Sequence, residues 1–259
     1  PNECERIGLS NQIEDLEVIV HGFGNVGYYA ARFLSESGAK IIGIIEKNGS
    51  IINEKGINIE SSKQYFERKG TLEGFKGFTK TRNRLLTKKC DILIPASIEN
   101  IINTNNAKNI KAKLIVEGAN GPVTIGADKI LQKKGVSVIP DFYANSGGVV
   151  VSYFEWVKNL SKIRYGMMQE REEEKRQANL ISALEVMTEK DIPEKLKSEI
   201  IKGSTEIDLV RSGLEEKMSE TFELIHEKFH SDKKIKDYRT AALMISVKKI
   251  ADAYSYLGI

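Results

Sequence analysis

Cysteine is nearly absent from this chain. Cys4 and Cys90 are the two cysteines in 259 residues, and they are far apart and outside any paired spacing. That excludes a disulfide framework and suits a reducing compartment. Histidine is scarce too. His226 and His230 stand four apart, but no acidic motif accompanies them, so no metal site is expected. No apolar run approaches the ~20 residues needed to cross a bilayer, and no basic-plus-apolar leader opens the chain. A membrane partner is therefore not expected. An excess of one charge is also missing: Lys+Arg 39 against Asp+Glu 36 leaves +3, which makes no case for nucleic acid or acidic lipid. There is no G-x-S-x-G, no Cys-His pair and no P-loop, so nucleophilic catalysis is not indicated. The chain opens on Pro1 rather than methionine and is read as a piece of something longer.

The rest is ordinary material for a globular protein: 41% hydrophobic and 29% charged residues. In the first half, short apolar runs alternate with amphipathic segments. Val18 to His21, Ile41 to Ile45, Asp91 to Ile94, Leu114 to Val116 and Val136 to Ile139 read as strands. Continuous apolar runs of this kind suit parallel strands covered on both faces. Val26 to Ser37 reads as a helix, ended by Gly38. Strands punctuated by Gly, Pro and Asn clusters, with helices between, predict a Rossmann-like, doubly wound α/β sheet over residues 1–150. From about residue 151 the pattern turns helical to the end at 259. Val149 to Leu160, Gln169 to Met187 and Arg239 to Leu257 read as helices. Ile207, Val210, Leu214, Met218, Phe222, Ile225 and Phe229 mark one buried stripe on another. Residues 165–205 read as a charged arm, with Lys190 to Gly203 as a connector or projection, and the last helix is expected to pack back on the domain.

The strongest local signal is Gly22-Phe23-Gly24-Asn25-Val26-Gly27. Gly22 permits a tight turn after a strand, Gly24 lets backbone approach a pyrophosphate, and Gly27 lets helix and strand pack closely. The helix start then offers free N–H groups and a positive dipole end. Alone the motif is weak, but a strand precedes it, a helix follows, and Glu46 closes the next strand 19 positions after Gly27. The pattern points to NAD: a carboxylate at that place accepts from both adenosine-ribose hydroxyls and repels a 2′-phosphate. Lys47 is either a solvated turn lysine or a partial offset for that phosphate, so NADP stays open. Asn120 and Asn145 sit beside glycines in strand-end loops, either capping turns or holding ribose and carboxamide.

Taken in order, these segments resemble the cofactor-binding half of glutamate dehydrogenases, in the amino-acid dehydrogenase family. The resemblance is carried by the glycine turn, Glu46 with Asn48-Gly49-Ser50-Ile51, Cys90 to Ala96, Glu117-Gly118-Ala119-Asn120-Gly121-Pro122, and Pro140 to Trp156. It runs on to Ser212-Gly213-Leu214 and Tyr238-Arg239-Thr240-Ala241-Ala242. It implies oxidative deamination of L-glutamate to 2-oxoglutarate and ammonia, with hydride passing to NAD, or to NADP. By resemblance Gly22 to Gly27 hold the pyrophosphate, Glu46 the adenosine ribose, Ala96 and Ser97 flank the cofactor, Asn120 meets its ribose and Asn145 its nicotinamide end. Val149 lines the substrate pocket and Ser152 binds the side-chain carboxylate of glutamate, where the leucine and phenylalanine relatives are apolar.

The family's catalytic lysine and aspartate lie in an N-terminal domain that no region here matches. The resemblance therefore implies no catalytic residue in this chain and a missing N-terminal catalytic domain as partner. It also implies a homo-oligomer, commonly a hexamer, in the complete protein, located in the mitochondrial matrix if eukaryotic and otherwise cytoplasmic. In the animal enzymes part of an arginine-rich GTP site lies on a helix of the Rossmann domain. Arg32 fits one position, but Glu36 stands where a second arginine is expected. Two other readings stay open: a non-catalytic dinucleotide-binding or scaffold protein, and a leucine- or phenylalanine-type dehydrogenase.

Overall fold

The computed structural model describes residues 2–81, 83–161, 165–201 and 205–258. In chain order the elements are α1 (Asn2–Arg6), β1 (Glu17–His21), α2 (Asn25–Glu36), β2 (Lys40–Glu46), β3 (Gly49–Ile52), α3 (Ile59–Lys69), β4 (Phe78–Thr79), α4 (Asn83–Leu86), β5 (Ile92–Pro95), β6 (Leu114–Val116), α5 (Ile125–Lys133), β7 (Ser137–Ile139) and α6 (Asp141–Ala144). Five further helices, four long and one short, follow: α7 (Gly147–Ser161), α8 (Tyr165–Thr188), α9 (Glu194–Ile201), α10 (Glu206–Ser231) and α11 (Tyr238–Leu257).

The strands make one sheet in the order β4-β3-β2-β1-β5-β6-β7. β2, β1, β5, β6 and β7 run parallel, as the apolar runs predict. The sheet is nevertheless mixed. β3 turns back antiparallel on β2, and β4 antiparallel on β3, which the sequence reading of a parallel sheet missed. Both are short, and their Gly-, Asn- and Ser-rich surroundings read as loop.

Both faces of the sheet are covered. Val18 and Val20 of β1 join Ile41 and Ile44 of β2 under α2 and α3, while Ile19, Ile42 and Ile45 face Leu85, Ala127 and Leu131 on the other side. Strict alternation would put Ile41 and Ile45 together. A register shift between Val18 and Ile19 separates them. The strand expected from Asp91 begins one residue later, and the Asp91 carboxylate accepts the Glu17 N–H at 3.0 Å.

Contacts divide the described chain into two compact units, Pro1–Ser146 with Ile225–Ile259, and Gly147–Leu224. The first contains the whole sheet, and α11 packs against β7 with Ala241 and Ala242 buried. The second is helical. Lys158 of α7 pairs with Glu206 of α10 at 2.5 Å, and Phe154, Leu209 and Val210 line a pocket of about 280 Å³ beside that pair. Residues 190–201, expected as connector, hold the helix α9. It packs on α8, where Glu185 accepts the Ile192 N–H at 2.7 Å and pairs with Lys197 at 3.0 Å. The rest of that expected connector, residues 202–203, lies outside the described residues. The stripe predicted on α10 is buried only at Ile225; Ile207 is 56% exposed.

Candidate functional site

β1 lies at the centre of the sheet and ends in the glycine turn. Gly22 has φ +98°, a conformation that side chains resist, and a Cβ there would sit 2.7 Å from the Ser97 Cβ. At Gly27 a Cβ would collide with the Gly22 carbonyl oxygen, so the first turn of α2 rests directly on the loop. Around Gly24 the space is open: nothing lies within 4 Å of a Cβ built there. Gly24 also caps α2 without a side-chain acceptor, whereas α3, α5 and α11 are capped by Asn58, Thr124 and Asp237. The first N–H groups of α2 therefore start without a capping side chain, beside open space and with no acidic residue in the first turn.

Phe23 points the other way. It is fully buried, with its ring edge-on to Tyr28 at 5.9 Å and Phe66 at 6.1 Å. What it offers the site is its N–H, which donates to Glu46 Oε1. Glu46 Oε2 accepts the Lys47 N–H at 3.1 Å, so the carboxylate stands at the mouth of the turn with exposed Lys47 beside it.

On the other flank of β1, the Ala96 N–H donates to the His21 carbonyl at 2.7 Å, and the Ser97 hydroxyl lies 2.5 Å from His21 Nδ1. The loop after β6 reaches the same place. Gly118 and Ala119 donate to the Pro95 carbonyl, and a Cβ on Gly118 would meet Ala96 at 3.2 Å and Val26 at 3.3 Å. Asn120 follows, and Asn145 Nδ2 donates to its Oδ1 at 2.7 Å. Twelve residues singled out in the sequence, Gly22 to Gly27, Glu46, Lys47, Ala96, Ser97, Asn120 and Asn145, thus gather at the carboxyl ends of β1, β2, β5 and β6 and in the short turn after α6. From β1 the chain passes through α2 to β2 on one flank, and after β3 and β4 it returns through α4 to β5 on the other flank, so β1 borders the switch point at which open α/β sheets bind ligands.

Val149 and Ser152 belong to the second unit. Val149 is exposed, and so is Ser152, whose hydroxyl donates to the Gly148 carbonyl one turn back on α7 at 3.0 Å. His226 Nδ1 lies 3.1 Å from the Tyr238 hydroxyl, with the His230 ring centroid 4.3 Å away. Arg32 Nε is 2.7 Å from Glu36 and 3.4 Å from Glu60, so two carboxylates face its guanidinium.

Sequence reasoning missed a polar cluster behind Asn120. Arg239, the second residue of α11, reaches Glu117 at 2.6 Å, Asp141 at 3.1 Å and Asp128 at 3.4 Å. Burial pushes the Glu117 carboxyl above its ordinary value, against the pull of Arg239. Burial also raises Asp128. Asp141 is lowered, because the N–H groups of Gly121 and Phe142, with Arg239, outweigh its burial. Burial works against the Arg239 charge, but the three acids, led by Glu117, hold it protonated. The only available signal was an acid ending an apolar strand, and its partner lies 122 positions on.

A family model described as Glutamate/Leucine/Phenylalanine/Valine dehydrogenase matches residues 4–208. Over 243 residues the chain is 45% identical to a probable glutamate dehydrogenase of Sinorhizobium fredii, covering 93% of this chain and 55% of that protein. Over 256 residues it is 42% identical to a mitochondrial glutamate dehydrogenase of Dictyostelium discoideum, covering 98% and 51%. The crystal structure of glutamate dehydrogenase from Peptoniphilus asaccharolyticus is similar with TM-score 0.70 at 27% identity, over 99% of this chain and 50% of that one. The hetero-hexameric glutamate dehydrogenase of Thermus thermophilus, in a leucine-bound form, shares the fold with TM-score 0.74 at 20% identity, over 100% and 51%. The chain spans about half the length of the curated relatives it matches.

Proposed function

The chain belongs to the glutamate/leucine/phenylalanine/valine dehydrogenase family, and from that membership we propose that it is the cofactor-binding part of a glutamate dehydrogenase. The reaction of the complete protein is L-glutamate + NAD(P)+ + water to 2-oxoglutarate + ammonium + NAD(P)H + H+. The observation that carries the reading is the gathering of the glycine turn, the Glu46 carboxylate and the Asn120–Asn145 pair at one edge of the sheet.

The residues fit a dinucleotide. Open space at Gly24 and the uncapped start of α2 suit a pyrophosphate. Glu46 suits a ribose diol and disfavours a 2′-phosphate, so NAD is the preferred cofactor and Lys47 keeps NADP as the alternative. When bound, the nicotinamide accepts the hydride from the substrate Cα. Asn120 and Asn145 orient the ribose and carboxamide on that side, Ala96 and Ser97 flank the ring system, and Phe23 fixes the turn from behind. On the substrate side, Val149 lines the pocket and the Ser152 hydroxyl donates to the γ-carboxylate of glutamate. That the relatives in Sinorhizobium fredii and Dictyostelium discoideum are a probable and a mitochondrial glutamate dehydrogenase supports glutamate over leucine or phenylalanine.

No residue here supplies the acid–base step; a lysine and an aspartate of a further domain do so. The complete protein is a homo-oligomer, a hexamer, and works in the mitochondrial matrix if eukaryotic and otherwise in the cytoplasm; the hexameric state of the Thermus thermophilus enzyme and the mitochondrial relative in Dictyostelium discoideum support this reading. The test is titration of the purified protein with NADH and NADPH, followed by calorimetry. NADH is expected to bind at least tenfold more tightly than NADPH, and Glu46→Gln to narrow that ratio. No binding of either nucleotide refutes the reading at its base. Activity of the full-length protein on leucine or phenylalanine, and none on glutamate, refutes the substrate.

A further inference from the structure

Arg239 arrives at the nucleotide edge from the far end of the chain, and the arrangement it makes is more than an ion pair. Its three donor nitrogens meet three acids on three separate elements: Glu117 at the end of β6, Asp128 on α5 and Asp141 at the start of α6. Two of those acids also grip backbone. Glu117 Oε2 accepts the Asp141 N–H at 2.7 Å, and Asp141 Oδ2 accepts the Gly121 N–H at 2.8 Å. Asn120 is the residue just before Gly121, inside this lattice. Asn145 ends the short helix that Asp141 begins, its N–H donating to the Asp141 carbonyl at 2.9 Å. The amide pair Asn145–Asn120 therefore joins two segments that are tied to each other through Glu117 and Asp141 and bridged by one guanidinium.

A purely stabilising role fits poorly. Glu117 is fully buried, yet its Oε1 has no hydrogen-bond partner among the described residues. One cation stands against three carboxylates, and burial opposes the charge on Glu117 and Asp128. Apolar side chains of similar volume often replace a buried ion cluster with no loss of stability. What an arginine adds is direction. Its planar fork fixes several acceptors at once, which a single ammonium does not do.

We propose that Arg239 is a positioning residue for the nicotinamide half of the cofactor, acting through Glu117 and Asp141 on Asn120 and Asn145. This rests on the reading of the edge as a dinucleotide site. The adenosine half, held by Glu46 and the glycine turn on the other side of β1, does not depend on Arg239. Its loss therefore weakens binding of the whole dinucleotide and spares its adenosine diphosphate fragment.

The experiment compares NADH with ADP on the purified full chain by calorimetry, for wild type, Arg239→Met and Arg239→Lys, with thermal unfolding measured alongside. NADH affinity is expected to fall about tenfold in both variants, while ADP affinity stays within twofold of wild type. Arg239→Lys keeps the charge, so it is expected to restore part of the melting temperature and none of the NADH affinity. Should Arg239→Met not fold, Asp141→Asn, which keeps an acceptor for the Gly121 N–H, is expected to show the same selective loss. Equal losses for NADH and ADP, unchanged NADH affinity, or NADH affinity that tracks melting temperature across the variants would each overturn the proposal. Wild type binding neither NADH nor ADP refutes instead the cofactor reading beneath it.

Discussion

At Gly22 the chain makes its sharpest conformational demand at the site. With φ +98° and Ser97 and Ala96 where a Cβ would stand, Gly22→Ala must pay for left-handed backbone, about 1–3 kcal/mol, and must also displace the Ser97 side chain. The expected outcome is a lower urea midpoint together with lost NADH binding, read by far-ultraviolet dichroism and fluorescence. Cys90 makes a contrasting demand. Burial, with the charges of Asp91 and Glu17, pushes its thiol up to about 12, so it is a core residue rather than a reactive one. Maleimide at pH 8 is expected to leave Cys90 unmodified in the native protein and to label it in guanidinium. Glu117 sets a pH dependence. Its folded carboxyl lies above the ordinary value, so its contribution to stability is present below about pH 4 and is lost as pH rises through the elevated folded value. The stability advantage of wild type over Glu117→Gln is accordingly expected to shrink as pH rises from 4.5 to 7.5. A gap that widens over that range contradicts the burial argument.

Among the elements, α2 and α11 begin in opposite ways. α11 is capped by Asp237, whose carboxylate accepts the Thr240 N–H at 2.6 Å, while α2 begins at a glycine with its N–H groups facing open space. Asp237→Ala is expected to cost about 1 kcal/mol of stability, seen as a lower melting temperature with nucleotide binding retained. The α2 and β1 pair was legible because its turn is punctuated by glycines with fixed spacing. β3 and β4 were not. Each is only a few residues long, and the pairing of β4 with β3 depends on where the chain returns after 25 intervening residues, between Ile52 and Phe78. α9 was hidden for a similar reason. Its polar sequence, following Pro193, reads as connector, and its packing on α8 is a tertiary fact.

Over the whole molecule, burial is unequal. The first unit holds both apolar clusters, whereas Ile181 is the only residue of 147–224 among the described residues to be buried below one-tenth exposure. Leu180, Val186 and Met187 on α8 and Tyr153 and Trp156 on α7 are more than half exposed. Amide exchange is therefore expected to be slowest in β1, β2, β5 and β6 and fastest across α8 and α9. Uniform protection across both units would show that the helical unit is far better packed than its exposure implies.

What the amino-acid order determined by itself was local and periodic. The apolar runs became β1, β2, β5, β6 and β7, the glycines fixed the turn, and the separation of Gly27 and Glu46 placed a carboxylate at its mouth. These follow from backbone freedom and from which faces must avoid water, properties of neighbouring residues. The tertiary structure decided the rest. It reversed β3 and β4, buried Phe23 while leaving its N–H to Glu46, and brought Arg239 against Glu117, 122 positions away. A guanidinium and a buried carboxylate have no sequence spacing that announces them. Only the closing of α11 onto β7 brings the two together, and with that the loops bearing Asn120 and Asn145 acquire a fixed place.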